Sequence, residues 1–184
     1  MIEKKDYAAV QRRLQEHLRR RFEDAVVQIG DDIHYKGTNV VVTSRAFEGL
    51  LPEQRFHHVV RAIPRDLYQT HLRTGVVWFE LVPGQSSIDL MKMPRAEDVA
   101  CKESDIRRRL EEADFASRFR ALFDADPQRA SITHFDATRR ILAEAGWPDV
   151  EINRACLFMI LQGAYCDAHV LNDVLPKLTS EHAA

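Results

Sequence analysis

Near the C-terminal end, Cys166-Asp167-Ala168-His169 sets a thiol and an imidazole three residues apart. That spacing puts both on one helix face, and thiolate plus imidazole is a donor pair that suits zinc. A closed zinc site needs four ligands; Cys156 offers a third across a helical hairpin, and no fourth suggests itself. Cys156 stands in the apolar run Ala155-Cys156-Leu157-Phe158-Met159-Ile160, and buried cysteines usually behave as small hydrophobes, so core packing is the simpler reading of both thiols. A nucleophilic Cys166 with His169 as base requires a lowered thiol pKa and an orienting carboxylate. Asp167, between them, is expected to face elsewhere. A second cluster is Arg55-Phe56-His57-His58. Adjacent helical side chains point about 100° apart, so His57 and His58 do not clip one ion. Arg12, Arg13, Arg19, Arg20 and Arg21 suggest phosphate contact, but Glu16, Glu23 and Asp24 interrupt them, as on a solvated helix face. The sequence has no Walker loop, dinucleotide fingerprint or serine-centred motif.

The 184 residues allow one large or two small domains, and 45% hydrophobic content is ordinary for a globular chain. No run of 18 apolar residues occurs, and charges in MIEKKDYAAV occupy the place of a signal-peptide core, which predicts a soluble cytoplasmic protein with no membrane association. The cysteines, Cys101, Cys156 and Cys166, are too few and too asymmetric for a disulfide framework. Residues 1–88 carry 13 Lys+Arg against 11 Asp+Glu, and residues 89–184 carry 13 against 17. Neither half has the basic excess of a dedicated nucleic-acid binder.

These side chains need elements to hold them. Val10, Leu14, Leu18 and Phe22 recur every fourth position and predict a helix from Asp6 to Glu23. Ala25 to Tyr35, the turn Lys36-Gly37-Thr38 and Asn39 to Ser44 read as an antiparallel hairpin. Pro52 opens a helix to Ile63, Pro64 restarts one through His71, and Val76 to Val82 is a third strand in which either Trp78 or Phe79 points inward. The order is αββααβ. After Pro83-Gly84-Gln85-Ser86-Ser87 helical spacing takes over: Val99–Glu112, Phe115–Phe123, Phe135–Ala145 with Thr133 as N-cap, Glu151–Gln162, and Asp167–Leu175 halted by Pro176. The expected division is an α+β domain at 1–88 and an all-helical domain at 95–178.

Thr38 to Val60 joins a valine strand to Ser44, Phe47, Gly49 and Arg55 in ungapped order. In this it resembles the BolA-like family, whose signature is a valine-rich strand, Ser, Phe, x, Gly and an Arg-His-Arg helix. Phe56 and His57 stand where that triplet has His and Arg. The resemblance covers about residues 5–83 and implies a class II KH-type fold with helices on one face of three strands. It also implies partnership with monothiol glutaredoxins and shared ligation of a [2Fe–2S] cluster. The family's ligands are a histidine just before or at the last strand and a histidine or cysteine in the hairpin loop. Val77 falls at the strand position, leaving His71 and His34 as the neighbouring donors. In the family the Arg-bearing helix borders the partner surface, which nominates Arg55 and His57 for partner binding. Residues 133–175 resemble a bacterial domain family of unknown function closing on Gly-Tyr-Cys-Asp-Cys-Glu-Val; Cys166 and Asp167 match, Ala168 and His169 do not.

The expected function is a non-catalytic adaptor or regulatory module in iron–sulfur or redox-stress handling. The alternative is a weak nucleic-acid-binding regulator on the KH-like fold, although the GxxG loop of working KH domains is missing.

Overall fold

The structure is a computed structural model, and it describes residues 2–32, 37–124, 126 and 129–180. It is mixed α+β. The chain divides into two compact units, Met1–Met93 and Pro94–Ala184.

In the first unit the order is α1 (Tyr7–Arg19), β1 (Val26–Asp31), β2 (Thr38–Thr43), α2 (Pro52–Ala62), α3 (Arg65–Leu67, continued by a π-turn over Tyr68–Leu72), β3 (Val76–Leu81) and α4 (Ser87–Met91). The sheet runs β1-β2-β3, with β1 antiparallel and β3 parallel to β2. A parallel return needs a long crossover, and α2 and α3 supply it. Alternation sends Val27, Ile29, Val40, Val42, Val76 and Trp78 to one face, where they pack with Val10, Leu14 and Leu18 of α1, Val59 of α2 and Leu67 of α3. Trp78 is thus the inward aromatic of its pair and Phe79 lies on the opposite face. The first helix stops at Arg19 rather than Glu23; Phe22 still reaches the core because a turn returns its N–H to the Leu18 carbonyl at 2.7 Å. The division falls after Met93, because Ser87–Met91 forms a helix against β3 with Leu90 buried, whereas the first domain was expected to end at 88.

One edge of the sheet is closed by α1. Gln11 and Gln15 accept from the outward N–H groups of Ile29 and Val27 at 3.2 Å each, Arg19 donates to the Ala25 carbonyl at 3.1 Å, and the Tyr7 hydroxyl donates to Asp31 at 2.9 Å. Four-residue steps on a helix advance about 6 Å, close to the two-residue step of a strand, so one helix row reads alternate positions along β1.

The second unit, among the described residues, contains helices and turns: α5 (Glu103–Glu112), α6 (Phe115–Phe123), α7 (Asp136–Glu144), α8 (Asp149–Leu161), α9 (Asp167–His169, continued by a π-turn over Val170–Val174) and α10 (Leu175–Ser180). Helix α8 buries Ile152 and every residue from Ala155 to Ile160, the pattern of a helix surrounded on all sides. Phe115, Phe119 and Phe123 form a buried aromatic row with centroids 5.3 and 5.1 Å apart. Residues 96–102 are short 3-10 turns, so the helix expected from Val99 starts at Glu103. Pro176 does not end the last helix. The π-turn resets the ladder and Pro176 falls in the first turn of a fresh α-segment, where its missing N–H is tolerated.

Candidate functional site

The strand–turn–helix from Ser44 to Arg55 is built by side chains that mostly serve the backbone. Ser44 leaves β2 in an extended conformation, its hydroxyl accepting from the Ala46 N–H at 3.1 Å and donating to Asp24 at 2.6 Å. The other Asp24 oxygen takes the Arg45 N–H at 2.8 Å, and these two bonds hold the Asp24 carboxyl below its usual range. Phe47 is fully buried, edge-on to Phe22 at 5.4 Å. Gly49 has φ +72°, a left-handed conformation that glycine adopts without Cβ strain.

Arg55 lies inside the unit, 3% exposed, rather than on a partner surface. Its Nε donates to the Leu50 carbonyl at 2.9 Å, and its Nη1 to the Glu80 carbonyl at 2.9 Å and to Gln85 Oε1 at 2.7 Å. Desolvation lowers its pKa from the ordinary arginine value, and the neighbouring Glu80 carboxylate opposes that shift. Arg55 therefore ties the start of α2 to the end of β3 and to the turn that follows. On the same helix His58 is buried and His57 half-buried, their rings 5.8 Å apart and nearly perpendicular. Phe56 is 39% exposed and meets Trp78 edge-on at 6.3 Å.

Among the described residues, no donor stands at the strand position where the resemblance implies a cluster ligand. Val77 sits in β3 and has no lone pair to give, His71 lies half-buried in the π-turn before the strand, and His34 is outside the described residues. Among the described residues no group of three or more His, Cys, Asp or Glu side chains could hold a metal ion. The described residues therefore do not fit strand-borne ligation of a cluster.

The cysteine corner of the second unit is likewise built for packing. Cys156 is fully buried and its thiol is pushed up to about 12 by desolvation, so it carries no thiolate at neutral pH. Cys166 is buried, while His169 is half-buried and accepts the Tyr165 N–H on Nδ1 at 3.3 Å. The residue that works here is Asp167, which sequence reasoning passed over as facing away. It is buried, and its carboxyl accepts from the N–H of Ala137 at 2.8 Å, the N–H of Thr138 at 3.1 Å and the Thr138 hydroxyl at 2.8 Å. Asp167 thus caps α7 from across the unit. Thr133 was expected in that role, and its hydroxyl instead pairs with His134 Nδ1 at 2.7 Å. Burial raises the Asp167 carboxyl above its ordinary value, and the same N–H and hydroxyl donors oppose the rise.

No protein-family model, no curated protein and no solved structure matches this chain.

Proposed function

We propose that this protein is a non-catalytic adaptor whose first unit is a BolA-like, class II KH-type domain followed by an all-helical domain, and that it binds a protein partner of the monothiol glutaredoxin class. The observation that carries the reading is the structural employment of Ser44, Phe47, Gly49 and Arg55. One caps, one fills the core, one takes the left-handed turn, and one locks helix to strand. Four residues that share a signature and serve one local architecture support a common architecture better than composition does. The element order of residues 7–81, with helices on one face of the sheet, supports it as well.

With Arg55 occupied internally, the α2 residues put forward for a partner are half-buried His57 and its exposed neighbour Phe56. Val77 withdraws the strand ligand, so the association rests on protein contacts rather than on a cluster bridging two chains. Calorimetric titration of the full chain with a monothiol glutaredoxin tests this. Binding that weakens at least about tenfold in His57→Asp, at unchanged thermal stability, is the expected result. Binding untouched by changes at both Phe56 and His57 removes α2 as the surface.

A further inference from the structure

The two edges of the sheet are treated differently. Along β1, α1 supplies acceptors and donors to the outward backbone groups of Ala25, Val27 and Ile29. Along β3, Thr38 N–H bonds to the Gly75 carbonyl and Ser44 N–H to the Leu81 carbonyl, both at 3.0 Å, which turns the odd-numbered residues of β3 toward β2. The N–H and C=O of Val76 and Trp78 therefore point off the sheet, and no group among the described residues bonds to them. Beyond them, the Glu80 carbonyl already accepts from Arg55, which marks where the open edge stops. Beside the edge stand Trp78 and the exposed ring of Phe56.

We propose that this edge pairs with the same edge of a second copy, β3 antiparallel to β3, with the two-fold axis at Val77. An open strand edge is matched by another extended backbone, which presents N–H and C=O at the same spacing. Among antiparallel registers, the one centred on Val77 sets Val76 against the partner's Trp78 and Trp78 against the partner's Val76. In these hydrogen-bonded pairs every outward group of Val76 and Trp78 bonds, and nothing is asked of Glu80. On the core-side face the register places a β-branched side chain beside an indole, a favourable cross-strand pair, and it opposes no like charges. Because α1 lies along β1 and engages the Ala25 carbonyl and the Val27 and Ile29 N–H groups, the six-stranded sheet so formed carries a helix along each outer edge. Assembly stops at the dimer. This inference does not depend on the adaptor reading.

The register makes a covalent test available. Val77 faces the partner's Val77 in a non-hydrogen-bonded pair, where Cα atoms lie about 4.5 Å apart, within disulfide reach. Phe79 faces the partner's Gly75 and is too far from the partner's Phe79 to bridge. Full-length wild type, Val77→Cys, Phe79→Cys and Phe56→Asp are purified and their folding compared by circular dichroism. Sedimentation equilibrium from about 1 to 200 µM is expected to give a reversible monomer–dimer for wild type, with the dissociation constant raised at least about tenfold in Phe56→Asp. Under mild oxidation Val77→Cys is expected to give a disulfide dimer on a non-reducing gel that wild type and Phe79→Cys do not. A monomer at every concentration overturns the proposal. So does a ladder of higher oligomers, a dimer indifferent to Phe56→Asp, or a Val77→Cys chain that crosslinks no faster than Phe79→Cys.

Discussion

Replacing Arg55 by alanine removes a buried side chain from three acceptors at once: the carbonyls of Leu50 and Glu80 and the Gln85 amide oxygen. A stripped buried acceptor costs about 1–3 kcal/mol, but the three belong to one network and their losses do not add. Gln85 is half-buried and also accepts the Val82 N–H at 3.3 Å, so it is re-solvated most cheaply. The two carbonyls and the Glu80 carboxylate, buried in β3 opposite Val42, lose their cation, and truncating one member of such a buried charged group typically costs about 3–5 kcal/mol. That is a large part of the roughly 5–15 kcal/mol that holds a domain together. The chain's two tryptophans, Trp78 and Trp147, fall one in each unit. In a Trp147→Phe background, Trp78 fluorescence therefore follows the first unit. Arg55→Ala should lower its urea midpoint by about 1.5 M or more, given a slope near 1–2 kcal/mol per molar. Arg55→Lys should fall between the two, because an ammonium keeps the charge but not the planar fork. A midpoint within about 0.3 M of the parent would refute the internal role of Arg55 and return it to the surface.

Asp167→Ala strips the cap from α7 and should destabilise the second unit by about 2–3 kcal/mol, followed by Trp147 fluorescence in a Trp78→Phe background; no change would show that α7 is capped otherwise. The wild-type units should respond oppositely to pH. Asp167 has a folded pKa raised by burial, so the proton-linked part of its stability is complete below the unfolded value near 3.9 and is lost as pH rises through the folded value, while its bonds to α7 remain. Asp24, held low by Ser44 and the Arg45 N–H, contributes above that unfolded value and loses its contribution as pH falls through its depressed value. Urea midpoints that move in the same direction for both units between about pH 3 and pH 7 would contradict the assignment. Gly49→Ala has open space for its Cβ, so its cost is backbone strain alone, about 1–2 kcal/mol in the first unit; a neutral result would place the left-handed turn elsewhere. Single-stranded nucleic acid should bind weakly, with affinity falling at least about tenfold between 50 and 200 mM salt, and tight, salt-resistant binding to one sequence would favour the nucleic-acid reading instead.

The strands were legible because Val40-Val41-Val42 and Val76 to Leu81 are dense in β-formers, and the element order followed from the punctuation of Gly and Pro between them. What stayed hidden is tertiary. Arg55 meets acceptors 25 and 30 residues ahead of it, and Asp167 meets donors 29 and 30 residues behind, so local spacing carries no trace of either bond. Arg55 was nominated for a partner because the Arg-bearing helix borders the partner surface in the family it resembles, and its burial follows from acceptors that only the folded sheet assembles. Asp167 was set aside because helix geometry alone turns it from Cys166 and His169, and the same geometry is what aims it at α7. One signal was present: a lone aspartate beside buried cysteines needs donors, and the nearest unsupplied ones are at a helix N-terminus. Pro176 misled because the rule that proline ends a helix assumes an unbroken α ladder, which the π-turn over Val170–Val174 interrupts.

The adaptor reading is tested most directly by one visible absorption spectrum: a monothiol glutaredoxin carrying its [2Fe–2S] cluster, recorded alone and after this chain is added, with the complex isolated by size exclusion. The expected result is co-elution of the two proteins with the cluster bands unchanged, because Val77 donates nothing and the contact is made by protein surface. Failure to co-elute at about 100 µM contradicts the proposed partner class. Co-elution with shifted bands that revert when His34 and His71 are both changed to alanine contradicts the reading that the association rests on protein contacts alone.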